Sequence, residues 1–355
     1  MPCDAELALA ALVLEACIGY PRALFALIGH PVTWIGRLLA LLEGEWNQPR
    51  FPEGTRRVLG VATVLICVGL ASGAGLAIAR GVAALFERGG RLLAWIATPA
   101  EHDGGLVALT PFEHANALIA PIATPFAHGG WLIALIATTG LAQRSLYQHV
   151  RAVETQLIRG NLDSARSAVS QIVGRDTRAL SASEVSAAAI ESLAESFNDA
   201  VVAPAFWLFL GGLPGLFAYK ALNTADSMIG HIEPRWRAFG WAAARLDDIA
   251  NFIPARIAGM LLALAGARGF RIMWRDAPKH ASPNAGWPEA AAAGALNLRL
   301  GGPAYYDGVM HARPQFGDGA NPQATDIPRA LSLYRRGCLG LWLLLILVAI
   351  IQVYL

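Results

Sequence analysis

Val58 to Ala79 runs for 22 residues without a charged side chain, and Gly337 to Leu355 for another 19. At about 1.5 Å of rise per residue, either stretch is long enough as a helix to cross the roughly 30 Å hydrocarbon core of a bilayer. Backbone at that depth has no water to bond, and a helix satisfies it internally. The expected fold class is therefore all-α: a polytopic integral membrane protein with re-entrant or broken helices and cytoplasmic helical segments, in a single domain over 1–355. The expected location is the cell (inner or plasma) membrane, multi-pass, with membrane lipid as surroundings. Composition agrees: 55% of residues are hydrophobic and 15% charged, against about 25% charged in an ordinary soluble domain. A formal charge of +2 leaves no footprint for nucleic acid. Asp4 and Glu6 precede the first apolar run, where a secretory signal wants basic residues, so no cleaved peptide is expected. Cys3, Cys17, Cys67 and Cys338 are scattered without metal spacing and read as small hydrophobes rather than a disulfide framework.

The rest of the chain divides by pattern. Leu7 to Ile18 is apolar but too short to span alone unless it continues past Pro21. His30-Pro31 opens a helix-spaced run to Leu42, which suits an interfacial amphipathic helix, with His30 also open to a role in a site. Thr98 to Gly130 reads as loop plus a re-entrant or interfacial piece, and Trp131 to Ala142 as the core of a second span running towards Tyr147. Gln143 to Ser196 has a soluble-looking helical pattern, broken at Gly160-Asn161 and again at Gly174. Ser181 to Glu184 is a capping box for a further helix. On that helix Glu184, Glu191 and Glu195 share a face, as a solvated stripe or as a cation site.

Asp199 to Asn223 is apolar but carries Pro204 and the run Gly211-Gly-Leu-Pro-Gly215 at its middle. Two half-spans meeting at a turn explain that run, and they return Asn223 to the side where Ser196 began. A helix is expected from Ile253 to Ala267, starting near Pro254, then polar chain over Arg268 to Arg336. The polar segments 144–196 and 268–336 are expected to bear the site. Lys and Arg concentrate in 144–178, 220–256 and 268–336, which places these together on the cytoplasmic face.

Between two apolar walls, Ala218 to Arg256 packs Lys220, Asn223, Asp226, His231, Arg235, Arg237, Arg245, Asp247, Asp248, Asn251 and Arg256 into 39 residues. Ionisable groups beside a bilayer mark a working site more often than a solvated loop. The chain has no phosphate loop of the GxxxxGK[ST] kind, no GxSxG elbow, no HExxH and no Cys/His metal cluster. What remains is acids and amides suited to Mg²⁺, and guanidinium and ammonium groups suited to phosphate or carboxylate. Arg159 and Arg166 flank GNLDSA at a helix start, where they read either as anion ligands or as surface salt-bridge partners. His231 and His280 are candidate acid/base groups, with a structural role the commoner fate of a lone histidine.

The blocks HPVTWIGR, RGNLDSAR, VGRDT, AAIESLAESFNDAVVAPAFW, GLPGLFAYKALNTADSMIGH, RAFGWAAARLDDIANFIPAR and SPNAGWPEAAAAGALNLRLGG resemble the CobD/CbiB family. Its members are the adenosylcobinamide-phosphate synthases, membrane proteins of cobalamin (vitamin B12) biosynthesis. The likeness covers most of 30–47 and nearly all of 144–302. Ser196 stands where the family usually shows Asn and Ala200 where it usually shows Gly, and the stretch around Thr98 to Asn116 reads as an insertion. The resemblance implies a ligase joining (R)-1-aminopropan-2-ol, or its O-phosphate, to the propionate carboxylate of adenosylcobyric acid, using ATP and Mg²⁺. It implies Glu191, Glu195, Asp199, Asp226 and Asp248 as catalytic groups, and Asp226, Asp247 and Asp248 as metal ligands. Arg159, Asn161, Arg166, Arg175, Lys220, Asn223, Arg245, Asn251 and Asn284 would hold substrate or phosphate. Other late cobalamin-pathway membrane enzymes are the expected protein partners. Two other readings stand beside it: a membrane transporter, since half-helices serve transport too, and a non-catalytic corrinoid-binding membrane protein or sensor.

Overall fold

The computed structural model describes residues 3–20, 29–97, 129–231, 233–306 and 308–354. The expected loop and re-entrant piece of Thr98 to Gly130, the apparent insertion within it and the continuation past Pro21 therefore lie outside the described residues, save the last two of the first. The elements are almost all helical. Three helical stretches among the described residues, Glu53–Glu87, Ala182–Ile229 and Asp326–Tyr354, are long and apolar enough to cross a membrane, and a bent helix pair passes the same test jointly.

Helix α1 (Ala5–Ile18) starts where the Asp4 carboxylate accepts from the Leu7 N–H at 2.7 Å. Helix α2 (Pro31–Trp46) starts where His30 Nδ1 accepts from the Val32 N–H at 3.2 Å. His30 is thus a cap, and burial, with the nearby Lys220 charge adding to it, lowers the imidazole's proton affinity. Helix α3 (Glu53–Ala97) is the first long span. Leu65, Leu70 and Leu85 are each at least 60% exposed on it, as a helix bordered by lipid allows. The second span expected over Trp131 to Ala142 is not continuous. Helix α4 (Gly130–Ala137) gives way to a 3-10 turn, and extended backbone at Leu141 (φ −109°, ψ 154°) redirects the chain. Amphipathic α5 (Gln143–Ile158) follows, then α6 (Leu162–Val169), which stops short of the expected Gly174.

Helix α7 (Ala182–Phe197) begins with the expected capping box of Ser181 and Glu184 and runs through the middle of the core. Its end widens into a π-helical turn over Asn198–Val202 before α8 (Ala203–Ile229). Helix α8 is broken at Gly212, whose φ of 59° and ψ of −153° are open only to glycine. A methyl group on Gly215 would lie 2.4 Å from the Trp207 carbonyl oxygen, so eight residues on, the chain has come back on itself. The Tyr219 hydroxyl lies 3.5 Å from the Asp199 carbonyl oxygen, a pair that a straight helix would separate by about 30 Å. The expected pair of half-spans is present, and Ala182–Ile229 is not a single rod.

Helix α3 braces this hairpin. Gly75 meets the elbow, with a methyl group there 2.8 Å from Leu213 backbone, and Gly60 meets Phe239, with 1.8 Å to its carbonyl oxygen. Fifteen residues separate the two contacts, so the elbow lies about 22 Å along α3 from the level of Phe239. Short α9 (Trp241–Ala250) and α10 (Phe252–Ala265) meet at a 50° bend. Helices α11 (Phe270–Asp276) and α12 (Gly286–Leu296) pack on α10. Four alanines in a row, Ala290 to Ala293, are buried on α12 and allow close approach. Strands β1 (Leu300–Gly301) and β4 (Gln315–Phe316) pair antiparallel, enclosing the hairpin of β2 (Ala304–Tyr306) and β3 (Val309–His311). Helix α13 (Asp326–Tyr354) closes the fold, with Tyr334 edge-on to Phe197 of α7 at 5.6 Å.

Candidate functional site

Between α7, the returning half of α8, α9 and the Ser282–Ala285 turn lies a cleft of about 470 Å³. Its floor is a hydrogen-bonded amide. Asn251, 2% exposed, accepts at Oδ1 from Asn198 Nδ2 (2.8 Å) and from the Tyr219 hydroxyl (3.0 Å), and donates from Nδ2 to Asp247 Oδ2 (2.9 Å). Asn198 Nδ2 also donates to Asp199 Oδ1 at 2.7 Å. Local geometry explains the convergence. Tyr219, Asn223 and Asp226 recur at spacings of four and three on α8, Asp247 and Asn251 at four across the end of α9, and the π-turn rotates Asn198 and Asp199 towards both.

Asp199, Asp226 and Asp247 are close enough to repel one another. Lys220 lies beside Asp199 and reaches Asn223 Oδ1 at 3.5 Å. Two buried oxygens, Asn198 Oδ1 and Asp247 Oδ1, have no hydrogen-bond partner among the described residues. Asp248 turns to the rim, 3.7 Å from two-thirds-exposed Arg245. Successive helical residues diverge by about 100°, so Asp247 and Asp248 do not face one point. Among the described residues no three His, Cys, Asp or Glu side chains are placed to hold one ion. The expected ligand set of Asp226, Asp247 and Asp248 is thus not a ready-made cage. The hard-oxygen donors still suit Mg²⁺, which takes one or two carboxylates and completes its shell with water or phosphate.

A second group adjoins through Glu195, which is exposed into the cleft. Behind it Glu191 is 3% exposed, paired with Arg175 and with Arg313 at 3.3 Å, and accepts the Gly301 N–H at 2.8 Å. Glu289, 1% exposed, lies 3.7 Å from Arg313 and 3.8 Å from His280 Nε2. Burial, with Glu195 and Glu191 adding to it, pushes the Glu289 carboxyl well above its ordinary value despite Arg313 and Arg175. Burial also lowers His280. Glu184, expected on the same face, belongs to the cap, so the three glutamates are neither a solvated stripe nor one cation site.

Asn284 is buried beside the cleft, donating to the Asp248 carbonyl oxygen (2.8 Å) and accepting from Arg256 Nη1 (2.7 Å). Arg256 in turn lies over the rings of Phe252 and Trp287. The structure thus brings together Glu191, Glu195, Asp199, Asp226, Asp247, Asp248, Arg175, Lys220, Asn223, Arg245, Asn251 and Asn284. It does not bring Arg159, Asn161 or Arg166 to them. Arg159 is an exposed helix end, Asn161 caps α6 by accepting the Ser164 N–H, and Arg166 donates to the Leu180 carbonyl oxygen and pairs with Asp163. Sequence reasoning passed over Asn198, Tyr219, Glu289 and Arg313. Glu289 had a legible signal, being the only carboxylate in an alanine-rich helix, whereas Arg313 had none.

Residues 8–334 match the model of a family described as CobD/Cbib protein. A Rhodobacter capsulatus protein named "Cobalamin biosynthesis protein CobD" is 42% identical over 351 residues, 98% of each chain. Proteins of the same name from Brucella suis biovar 1 and Sinorhizobium sp are 41% and 39% identical. They cover 91% and 92% of this chain and 90% and 93% of their own. No solved structure matches the chain.

Proposed function

The chain belongs to the CobD/CbiB family of cobalamin biosynthesis, and from that premise we propose that it is an ATP-dependent ligase. It would form the amide bond between the propionate carboxylate of adenosylcobyric acid and (R)-1-aminopropan-2-ol or its O-phosphate. The observation that supports this best is the cleft itself, where carboxylates, amides and cations meet at the mouth of a broken hairpin.

Amide formation from a free carboxylate is uphill in water. Transfer of the ATP γ-phosphoryl group to the carboxylate gives ADP and an acyl phosphate. The amine then attacks the acyl carbon, phosphate leaves with the C–O bonding pair, and the ammonium proton passes to a base. Catalysis here is mainly positioning and charge compensation. Lys220, with Arg245 at the rim, meets the phosphate charge. Glu195, the carboxylate that borders both halves of the site, is the assigned base. Asn223, Asn251 and Asn284 orient the substrates, and Arg175 acts through Glu191 rather than on substrate. One or two of the carboxylates Asp199, Asp226 and Asp247, with the Asn198 amide oxygen and with water or phosphate completing the shell, would hold Mg²⁺, which would supply charge neutralisation for the transferred phosphoryl group.

The test is turnover by the detergent-purified protein with Mg-ATP, adenosylcobyric acid and aminopropanol phosphate. A corrinoid that gains the amine less water, with one ADP per product, is expected, and Glu195→Gln should reduce it at least about 100-fold. No product and no ADP from folded protein would overturn the ligase reading. Corrinoid flux into sealed vesicles without ATP turnover would replace it with transport.

A further inference from the structure

A second and larger cavity, of about 700 Å³, opens where the end of α1, the start of α5 and α13 meet. It shares no lining residue with the cleft described above. Arg144, Arg335 and Arg336 line it, with Tyr147, Leu339 and Trp342, and among the described residues no carboxylate does. Arg335 and Arg336 make no ion pair among the described residues, and both are exposed. Arg144 donates to the carbonyl oxygens of Cys17 and Ala16, which anchors it at the cavity wall. Glu15, beside Arg144, is turned inward at 2% exposure, and its oxygens accept the Arg144 backbone N–H at 3.2 Å.

The level of this cavity is informative. Arg336 is the last charged residue of α13, and 19 uncharged residues follow it. The arginines therefore sit where the helix passes from water into hydrocarbon. One turn further on, Leu339 and Leu343 are 52% and 58% exposed on the outer surface of α13. Trp342, at the same depth, is fixed by its indole N–H bond to Gln143 Oε1 at 3.2 Å, the kind of amphipathic ring found at a membrane interface. Unpaired cations above an exposed apolar strip match one class of ligand, with an anionic head and apolar tails.

We propose that this cavity binds an anionic phospholipid of the surrounding leaflet. The three arginines hold the phosphate, and the acyl chains lie along Leu339 and Leu343. This does not depend on the ligase reading.

The test is native mass spectrometry of the full chain with equimolar phosphatidylglycerol and phosphatidylcholine. Phosphatidylglycerol should be retained in clear excess. Each arginine near a membrane surface contributes about fivefold in affinity, so R335Q/R336Q should lose retention about twenty-five-fold. R335K/R336K keeps the charge and should stay within about fivefold of the wild type. Millimolar inorganic phosphate should not displace the lipid. Displacement would overturn the lipid assignment in favour of free phosphate. Equal retention of both lipids, or unchanged retention in R335Q/R336Q, would overturn the site itself. A photoreactive phosphatidylglycerol on wild-type protein tests the same point without any variant: labelling within 332–342 is expected, and labelling only elsewhere refutes it.

Discussion

Asn251→Ala removes the amide on which the floor of the cleft is built. Three bonds go: from Asn198 at 2.8 Å, from the Tyr219 hydroxyl at 3.0 Å, and to Asp247 Oδ2 at 2.9 Å. Their fates differ. Asn198 Nδ2 keeps Asp199. The Tyr219 hydroxyl, on a side chain 2% exposed, keeps only a 3.5 Å contact with the Asp199 carbonyl oxygen. Asp247 loses its bonded donor on one oxygen when the other already has none. Two buried groups are thus stranded, each costing about 1–3 kcal/mol, for a loss of about 2–6 kcal/mol. Thermal unfolding in detergent can be followed with a thiol-reactive dye, because Cys67 and Cys338 are buried at 2% and 8% exposure. Cys3 and Cys17 are replaced by serine to silence the background. On the order of 2 °C per kcal/mol, Asn251→Ala should melt about 4–12 °C lower. Asn251→Asp keeps the shape but turns a carboxylate on Asp247, and should do no better. If Asn251→Ala melted within about 1 °C of its parent, the floor would carry no net energy, and the reasoning from stranded partners would fail.

Other consequences can be checked in the same preparation. Gly60→Ala and Gly75→Ala drive a methyl group into Phe239 and Leu213 backbone and should each cost about 1–3 kcal/mol, while Gly73→Ala, which meets open space, should not lower the melt. Asp276 is fully enclosed; burial pushes its carboxyl up, but bonds from Arg275, Lys279 and the Gly317 N–H outweigh this and hold it well below the ordinary range. Its contribution is present above the ordinary carboxylate value and lost as pH falls through the depressed one. Asp276→Asn should therefore be about 1–3 kcal/mol less stable near neutrality, a figure discounted for its half-exposed cationic partners, and the gap should close in acid. Glu289 is shifted the opposite way, so folding retains its proton and stability falls as pH rises from the ordinary value of 4.5. Glu289→Gln should flatten that slope, and an unchanged slope would refute the assignment. Cysteines at 196 and 223 should react with a membrane-impermeant reagent from the same side, since the Gly212 elbow brings the chain back.

Much of the fold was legible because its signals are local. The spans at Val58 and Gly337 follow from uncharged length alone. The Ser181 box is a four-residue pattern, and Gly-Gly-Leu-Pro-Gly announces an elbow by its backbone freedom and its missing donor. Trp131 to Ala142 failed for a complementary reason. Apolar composition says what a segment can be buried in, not whether it stays straight, and the backbone turns at Leu141 inside a run with no proline to mark it.

The site was legible as an inventory and much less as an arrangement. Asp247 and Asp248 are adjacent letters, yet a helix sends one into the Asn251 network and the other to Arg245 at the rim. Arg159 and Arg166 flank a block as distinctive as any other, yet one is an exposed helix end and the other is bonded to Leu180 and Asp163. Glu191 could be assigned neither to a stripe nor to a metal until Arg313 closed on it from 122 positions away. That partner arrives through the β-strand excursion, whose course no periodicity in α7 can encode. What turned the polar run of Ala218 to Arg256 from a list into a site was one glycine. By folding α8 back at Gly212, it sets Tyr219 and Asn223 against Asp199, which helix rise alone would place about 30 Å away.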